Sequence, residues 1–303
     1  MGKCAILLLQ LTMGLSLIVK PVDTIGQVRL EGAIAEIARQ INGRVGVYAL
    51  VIETGDMVSY HGEDKFPMQS VYKFPIGMAV LDQVDEGRLA LDQIIRVETS
   101  DYIPDNGHSP LRDKYPKGTT MTVRQLLNYS VTESDGSASD VLLRLLGGIS
   151  KAQEYVHNLG ISDIAIATTE QVQVADDLIQ YQSWATPRAM SLLFKVFYFD
   201  DVLSEDSKAF LLQLLSPTGP WFSRRIKGLL PEGITVFHKT GTSGTIDGLT
   251  RATNDAGIMV LPDGKHIALS VFITDSYASQ QERELAIAKV ARAVYDYYTN
   301  PGI

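Results

Sequence analysis

Cysteine is nearly absent from this sequence, since Cys4 is the only one among 303 residues. A single thiol cannot form an intrachain disulfide, and cysteine-based zinc sites need several ligands at short spacing. The five histidines are scattered, with no H-x-x-x-H pair among them. The sequence therefore excludes a disulfide-stapled scaffold and predicts neither a metal centre nor any other cofactor.

An excess of basic residues is also missing. Lys and Arg number 27 against 35 Asp and Glu, which gives a formal net charge of −8. Proteins that bind nucleic acid neutralise phosphates with a basic face, and no such stripe is present. We therefore expect no nucleic-acid partner and interpret the acidity as a source of solubility.

Long apolar runs are confined to residues 1–20, where Lys3 precedes an apolar stretch interrupted by Gln10 and Thr12. The stretch falls short of the ~20 apolar residues of a confident membrane span. We interpret it as a signal peptide, with an uncleaved anchor as the alternative. Removal would take Cys4 with it. We expect a secreted, periplasmic protein with no stable membrane association after signal removal.

Two hairpins are predicted near the ends of the chain. Residues 45–52 and 57–60 are rich in β-branched and apolar side chains, with Gly55 and Asp56 at the turn between them. Residues 257–261 and 266–273 form a similar pair around a Pro-Asp-Gly-Lys turn.

Helical signals dominate the intervening segment, from about 68 to 215. Thr122 and Gln125 have the spacing of a capping box, and Gly147 with Gly148 would end a helix. Helices are also predicted over 190–197 and 280–298. In the last of these, four apolar residues recur at helical spacing and are expected to pack against the sheet: Leu285, Ala288, Ala291 and Val294.

These elements predict a mixed α/β (α+β) fold, an antiparallel sheet flanked by helices with an inserted all-α lobe. The predicted division is a signal peptide (1–20), an α/β lobe (25–67 plus 216–303) and a helical lobe (68–215). We expect the active site in the cleft between the lobes and the protein to be a monomer.

A serine and a lysine lie three residues apart in the stretch Ser70-Val71-Tyr72-Lys73. This is the spacing expected for a nucleophile and its base on one face of a helix. We expect Ser70 in the first turn of a helix, with Lys73 one turn later on the same face. A serine hydroxyl attacks only when a base takes its proton, and a lysine can be that base when burial lowers its pKa. This pattern also occurs by chance, so alone it favours a surface pair.

Two further motifs follow in order, Ser134-Asp135-Gly136 and Lys239-Thr240-Gly241. With Ser70-x-x-Lys73 they resemble the series of class A serine β-lactamases, which is shared with penicillin-binding transpeptidases. Stretches such as MQSVYKFPI and ATNDAGIMVLPDG are similar to the PER- and VEB-type extended-spectrum subgroup. The resemblance runs from about residue 45 to 298 and implies the fold of these enzymes.

The resemblance assigns a role to each motif. It implies that Ser70 attacks the lactam carbonyl and that Ser134 passes a proton to the ring nitrogen. It also implies a substrate-binding set in which Lys239 attracts the carboxylate, Thr240 offers a hydroxyl, Gly241 permits close approach and the Thr242 N–H joins that of Ser70 in the oxyanion hole. Ser243 and Arg225 complete this set, Arg225 as a second carboxylate anchor for which Arg224 and Arg251 are rivals.

Glu170 occupies the place of the glutamate that activates the deacylating water in class A enzymes. Whether Lys73 or Glu170 takes the proton from Ser70 stays open. Three positions depart from the family pattern: Gly136 replaces an asparagine, Val174 replaces an asparagine that helps to hold the water, and Thr168 replaces an arginine that pins the loop. We expect the loop conformation to differ accordingly.

The resemblance implies a secreted β-lactamase that hydrolyses penicillins and cephalosporins through an acyl-serine and confers antibiotic resistance. One alternative is a penicillin-binding DD-peptidase, which generally lacks the loop glutamate. Another is a non-catalytic β-lactam sensor, which needs a signalling domain. His108 stands where the subgroup carries a tryptophan and is a candidate substrate contact.

Overall fold

The computed structural model describes residues 24–216 and 223–300. The segment interpreted as a signal peptide, including Cys4, lies outside the described residues. No helix in the described ranges is long and apolar enough to cross a membrane.

The strands of the described chain are β1 (Arg44–Val51), β2 (Met57–Tyr60), β3 (Phe66–Pro67), β4 (Ile94–Val97), β5 (Thr119–Thr122), β6 (Ile164–Ala165), β7 (Trp184–Ala185), β8 (Val236–Thr242), β9 (Thr245–Ile246), β10 (Leu249–Thr250), β11 (Thr253–Val260) and β12 (His266–Thr274). Five of them form one antiparallel sheet in the order β2-β1-β12-β11-β8. Both predicted hairpins are therefore confirmed, one as β1–β2 and the other as β11–β12.

The helices are α1 (Thr24–Arg39), α2 (Lys73–Asp85), α3 (Pro110–Lys114), α4 (Val123–Leu127), α5 (Gly136–Leu146), α6 (Ile149–Asn158), α7 (Glu170–Ala175), α8 (Pro187–Phe199), α9 (Glu205–Leu214) and α10 (Gln280–Thr299). The Thr122–Gln125 capping box precedes α4 as predicted, and Gly147, in the left-handed conformation, ends α5. The predicted mixed α/β fold is confirmed, whereas the residue boundaries of the two lobes stay a prediction.

Two hydrophobic clusters lie on opposite faces of the five-stranded sheet. Along β12, Ala268 and Phe272 join the cluster formed with the central helices, while Ile267 and Leu269 join the cluster with α1 and α10. This alternation is the period of two expected for a sheet buried on both faces. The edge strand β8 packs against the 3-10 turn Gln69–Tyr72 that precedes α2, which brings the third motif to the first.

The predicted packing of the last helix is correct except at one position. Ala288, Ala291 and Val294 are buried in α10, but Leu285 is 40% exposed. Leu285 lies one turn before Ala288, in the N-terminal part of α10, where it borders a surface pocket with Ser223, Gly228 and Leu229. The buried face of the helix is therefore narrower at this point than the apolar spacing predicted.

Candidate active site

Ser70 lies in a 3-10 turn, Gln69–Tyr72, that leads directly into α2. Ser70 thus lies in the first helical turn of this segment, as predicted, and that turn has 3-10 geometry while α2 itself begins at Lys73. Pro75 has no N–H with which to bond the carbonyl of Val71, so the α-helical ladder cannot extend backwards through that residue. Lys73 still follows Ser70 closely in space, because its Nζ lies 2.8 Å from Ser70 Oγ.

Lys73 connects three of the predicted catalytic residues. Its side chain is 1% exposed, and its ammonium donates to Ser70 Oγ and, at 2.7 Å, to the main-chain oxygen of Ser134. The same Nζ faces Glu170 Oε1 at 2.8 Å as an ion pair. A buried lysine placed between a hydroxyl and a carboxylate can exchange a proton with either group.

Glu170 is the first residue of the short helix α7, and Asp140 on α5 fixes its backbone. The Asp140 carboxylate accepts the N–H groups of Glu170 and Gln171, each at 2.8 Å. Burial raises the pKa of Asp140 to about 7, against the opposing effect of these two hydrogen bonds. Sequence reasoning missed Asp140, although an acidic residue in the apolar run of α5 was a usable signal.

The departures in the loop have visible structural consequences. Thr168 donates its N–H to Ser183 Oγ at 3.2 Å, and the two hydroxyls lie 3.0 Å apart. Val174 packs so closely on Gly107 that a Cβ there would lie 2.8 Å from Val174 Cγ2. The side chains at these two positions therefore make neutral contacts, in place of the arginine and asparagine that the family pattern led us to compare them with.

Gly136 lies directly beneath Glu170. A Cβ atom at this position would lie 2.5 Å from Ile103 Cδ1 and 3.2 Å from Glu170 Cβ, which is too close for unstrained packing. Ile103 is itself buried, so it has little room to move. With Ile103 and Glu170 in these positions, only glycine fits at residue 136 without displacing one of them.

Ser134 and Lys239 form the opposite side of the cluster. Lys239 Nζ donates to Ser134 Oγ at 2.9 Å and to the Thr240 carbonyl at 3.1 Å. Ser134 has a φ of 60°, so its backbone lies in the left-handed region, and Asp135 behind it caps α5 by accepting the Ala138 N–H at 2.8 Å. The serine hydroxyl is therefore held at a sharp turn beside a lysine.

The environment of Lys239 alters its protonation. Its side chain is buried, and burial together with the positive charge of Lys73 lowers the pKa of Lys239 to about 7. The amine is therefore about half protonated near neutral pH in the free protein. An incoming carboxylate would favour the charged form.

Gly241 allows β8 to lie against the turn that carries Ser70. A Cβ atom there would lie 2.4 Å from the carbonyl oxygen of Met68 and 3.1 Å from the backbone nitrogen of Val71. No other residue type fits this contact without moving the main chain. The next residue, Thr242, is thereby placed at the mouth of the site, where it is exposed.

Arg225 is buried beneath the end of β8. Its guanidinium donates to the carbonyls of Asn254 at 2.7 Å and Gly241 at 3.0 Å, and to Thr242 Oγ1 at 2.6 Å. Arg251, one of its predicted rivals, instead pairs with Asp177. Of these two arginines, Arg225 is the one bonded to the predicted substrate-binding strand, and it acts on that strand through Thr242.

Ser243 and His108 are engaged by local structure. Ser243 Oγ accepts the N–H groups of Arg251 and Ala252 at 3.0 Å each, which stabilises the bend after β8. His108 Nε2 lies 2.9 Å from the Glu133 carbonyl, and the His108 carbonyl accepts the Gly136 N–H at 3.0 Å. The structure therefore brings Ser70, Lys73, Ser134, Glu170 and Lys239 into one cluster, whereas the Ser243 hydroxyl is directed to the bend.

Charged groups around the cluster belong to ion pairs and hydrogen bonds within the protein. Across the described ranges, no group of three or more His, Cys, Asp or Glu side chains could hold a metal ion. Asp255, which is fully buried on β11, lies 2.8 Å from His238 Nδ1 and accepts the Ile226 N–H at 3.1 Å. It joins β8 to the segment of Arg225, and its position in an apolar strand was a signal that sequence reasoning missed.

The chain is similar to characterised families over almost its whole length. Residues 29–298 match the model of the β-lactamase enzyme family. The β-lactamase VEB-1 of Pseudomonas aeruginosa is 38% identical over 88% of this chain and 89% of its own length. The extended-spectrum β-lactamase PER-1 of the same species is 41% identical over 77% of this chain and 76% of its own length.

A solved structure agrees with these sequence relatives. A β-lactamase from Chitinophaga pinensis superposes with a TM-score of 0.86 and 41% identity, covering 89% of this chain and 99% of that chain. The resemblance identified from the three motifs is thereby confirmed. The chain belongs to the β-lactamase enzyme family and is a class A β-lactamase, a hydrolase that acts on β-lactams.

Proposed function

We propose that this enzyme hydrolyses penicillins and cephalosporins through an acyl-Ser70 intermediate. The observation that carries the proposal is the position of Lys73, whose ammonium lies 2.8 Å from both Ser70 Oγ and Glu170 Oε1. A proton leaving Ser70 can therefore pass to Lys73 directly, once the ammonium has given its own proton to Glu170, or it can pass to Glu170 through a water. Either route produces an alkoxide that attacks the lactam carbonyl.

Acylation requires the C–N bond of the ring to break with a proton delivered to nitrogen. Ser134 Oγ supplies that proton in our proposal and regains one from Lys239 or Lys73, because Lys239 Nζ already donates to this hydroxyl at 2.9 Å. Developing charge on the carbonyl oxygen is stabilised by the backbone N–H groups of Ser70 and Thr242. The close approach of Gly241 to the Ser70 turn supports this pairing.

Substrate binding is assigned to the end of β8 and its support. Lys239 supplies positive charge to the substrate carboxylate, and Thr240 and Thr242 supply hydroxyls. Arg225 holds Thr242 in place and adds positive charge behind it, at 2.6 Å from Thr242 Oγ1. Gly241 and Ser243 set the path of the strand end.

Deacylation completes the reaction. Glu170 takes a proton from water, the resulting hydroxide attacks the ester carbonyl, and the Ser70 oxygen leaves with a proton returned by Glu170 or Lys73. The open product is a penicilloate or cephalosporoate. Because VEB-1 and PER-1 share 38% and 41% identity and PER-1 is named an extended-spectrum enzyme, we propose that bulky cephalosporins are also substrates.

The proposal extends to the setting of the enzyme. We propose that residues 1–20 direct secretion to the periplasm, that the mature protein acts there as a monomer without stable membrane association, and that it thereby confers antibiotic resistance. The apolar stretch that follows Lys3 supports export. Activity in a periplasmic fraction, combined with the molar mass of the mature enzyme in solution, tests this part.

The reaction is tested with Glu170→Gln and a chromogenic cephalosporin, following absorbance and intact mass together. We expect acylation to occur, with a mass increase of one ligand per protein and no sustained turnover. Steady-state hydrolysis at the unmodified rate would contradict the role of Glu170. A stoichiometric adduct with the unmodified protein, and no turnover, would instead indicate a peptidase or a sensor.

A further inference from the structure

Asn254 is a buried amide that lies between the five-stranded sheet and the turn that carries Ser70. It is 0% exposed on β11, where the next residues on the same face, Ala256 and Ile258, belong to the apolar core. An amide in such an apolar row is unfavourable unless hydrogen bonds satisfy its polar atoms. The partners of Asn254 therefore indicate what this residue contributes.

Both ends of the Asn254 amide have hydrogen-bond partners. Its Nδ2 donates to the carbonyls of Pro67 at 2.7 Å and Met68 at 3.1 Å, and its Oδ1 accepts the Ile273 N–H at 3.3 Å. Carbonyls only accept and a backbone N–H only donates, so these partners determine which end of the amide carries the nitrogen. The side chain thus joins the sheet to the segment that immediately precedes the nucleophile turn.

The strand beside Asn254 carries the second donor of the proposed oxyanion hole. Asn254 pairs with Gly241 of β8, so the two residues share one face of the sheet. Because Gly241 has no side chain, its main chain lies against the nucleophile turn, where an added Cβ would be 2.4 Å from the Met68 carbonyl oxygen. Thr242 follows directly in the chain. Asn254 therefore binds the carbonyl that Gly241 approaches most closely.

The same carbonyl belongs to the turn that holds the first donor. The Met68 oxygen also accepts the Val71 N–H at 3.3 Å, a bond that encloses Ser70 in the 3-10 turn. From β8 and β11, the main-chain oxygens of Gly241 and Asn254 both accept from the Arg225 guanidinium, at 3.0 Å and 2.7 Å. Arg225 thus joins the two strands to each other, and the Asn254 amide joins them to the turn.

We propose that Asn254 is a positioning residue for the oxyanion hole. By holding the carbonyls that precede the nucleophile turn, it sets the distance between the N–H groups of Ser70 and Thr242 and their relative orientation. Donors stabilise the developing charge on a carbonyl oxygen well only when they are aligned beforehand. Asn254 is buried, so it acts through these main-chain groups and not on the substrate. The inference rests on the proposed acyl-Ser70 mechanism and its two donors.

The ester carbonyl of the acyl-enzyme reports this alignment. Hydrogen bonds to a carbonyl oxygen weaken the C=O bond and lower its stretching frequency. The acyl-enzyme is trapped with Glu170→Gln, and infrared difference spectra are recorded with a cephalosporin that carries an isotope label at the lactam carbonyl. Adding Asn254→Ala should move the band to higher frequency and broaden it, because the two donors no longer hold one geometry.

Steady-state kinetics in the otherwise unmodified enzyme give a second measure. For a chromogenic cephalosporin, kcat/KM includes the acylation step and should fall about tenfold in Asn254→Ala. This loss is smaller than the ~10²–10³-fold fall in kcat on removal of an oxyanion-hole donor, since both donors remain and only their alignment changes. Asn254→Leu fills the volume of the amide without its donors. It should give the same band shift, so the test does not depend on the folding of the alanine variant.

Ser191→Ala is the matched control. Ser191 on α8 is also 0% exposed, and its hydroxyl donates to the Tyr48 carbonyl at 3.0 Å and lies 2.8 Å from Ser270 Oγ. It joins α8 to β1 and β12, which do not carry the oxyanion-hole donors. Like Asn254→Ala, this variant loses a side-chain bond to a buried main-chain carbonyl, so both should unfold at lower urea concentration. Ser191→Ala should leave the carbonyl band and kcat/KM unchanged.

Intact mass, recorded before the spectra, separates this inference from the function on which it rests. If Glu170→Gln forms no stable adduct, the proposed function is wrong and this inference fails with it. If the adduct forms but Asn254→Ala and Asn254→Leu leave its carbonyl band unchanged, Asn254 only stabilises the fold and the positioning role is refuted. An equal band shift in Ser191→Ala would also refute it, because the shift would then be a general effect of lost stability.

Discussion

Arg251 donates through Nε to the carboxylate of Asp177 and thereby joins the segment that follows Glu170 to the bend between β10 and β11. The partners are 20% and 25% exposed, so solvent screens their interaction less than it screens a surface pair. Gln180 extends the contact, because its amide donates to Asp177 Oδ1 at 2.7 Å and accepts from Gln69, next to Ser70, at 2.7 Å. The ion pair and the Gln180 hydrogen bonds thus connect the loop both to the bend before β11 and to the residue beside Ser70.

Arg251→Ala is expected to loosen this loop. Loss of the pair should reduce the free energy of unfolding by about 1 kcal/mol and kcat by several-fold, because Glu170 is carried by the freed segment. Urea unfolding measures the loss of stability, and limited proteolysis of residues 166–185 measures how accessible the loop becomes. Steady-state hydrolysis measures the loss of kcat. Arg96→Ala is the matched control, since Arg96 is 80% exposed in its pair with Glu98. Equal proteolysis of both variants would contradict the anchoring role.

The lowered pKa of Lys239 leads us to expect that substrate binding is accompanied by proton uptake. With a pKa of about 7, lowered by burial and by Lys73, the free amine loses its proton as the pH rises through neutrality, and a bound carboxylate restores it. Binding should therefore take up about half a proton at pH 7, about 0.9 at pH 8 and almost none at pH 5.5. Affinity for the carboxylate should fall as the pH rises above 7, because binding must then supply the charge.

Calorimetry on Ser70→Gly, which lacks the nucleophile, measures this uptake from the difference between buffers with unlike heats of ionisation. The matched control is Ser70→Gly with Lys239→Arg, since a guanidinium stays protonated throughout this pH range. Uptake should vanish in the control. Heats that do not depend on the buffer at pH 8 in the Ser70→Gly protein would show that Lys239 is already charged before binding.

The sequence predicted the elements and the motifs because both depend on local patterns. β1, β2, β11 and β12 lie where alternating β-branched residues predicted them, and the capping box of Thr122 and Gln125 begins α4. Ser70, Lys73, Ser134, Glu170 and Lys239 meet as the resemblance to class A β-lactamases implied. The elements needed only spacing and residue type, whereas the site also needed that resemblance.

Contacts between segments far apart in sequence could not be predicted in this way. Asp177 and Arg251 are 74 residues apart, and nothing in their local surroundings identifies them as partners. The support of Glu170 by Asp140, 30 residues before it, depends on how α5 packs against α7. Such pairings follow from tertiary packing, which a single sequence leaves undetermined.

Gly136 is expected to tolerate no side chain unless Ile103 is shortened. Gly136→Ala places a Cβ 2.5 Å from Ile103 Cδ1 and 3.2 Å from Glu170 Cβ, so it should reduce the free energy of unfolding by about 1–3 kcal/mol and lower kcat by displacing Glu170. Ile103→Val removes Cδ1 and should restore part of both losses in the double variant. Gly32→Ala on α1, where no atom lies within 4 Å of the added Cβ, should be neutral or slightly stabilising. Urea unfolding and steady-state kinetics are measured for the unmodified protein, Gly136→Ala, the double variant and Gly32→Ala. If Gly136→Ala has the same stability and kcat as Gly32→Ala, Gly136 does not set the position of Glu170. The glycine at this position would then have another cause.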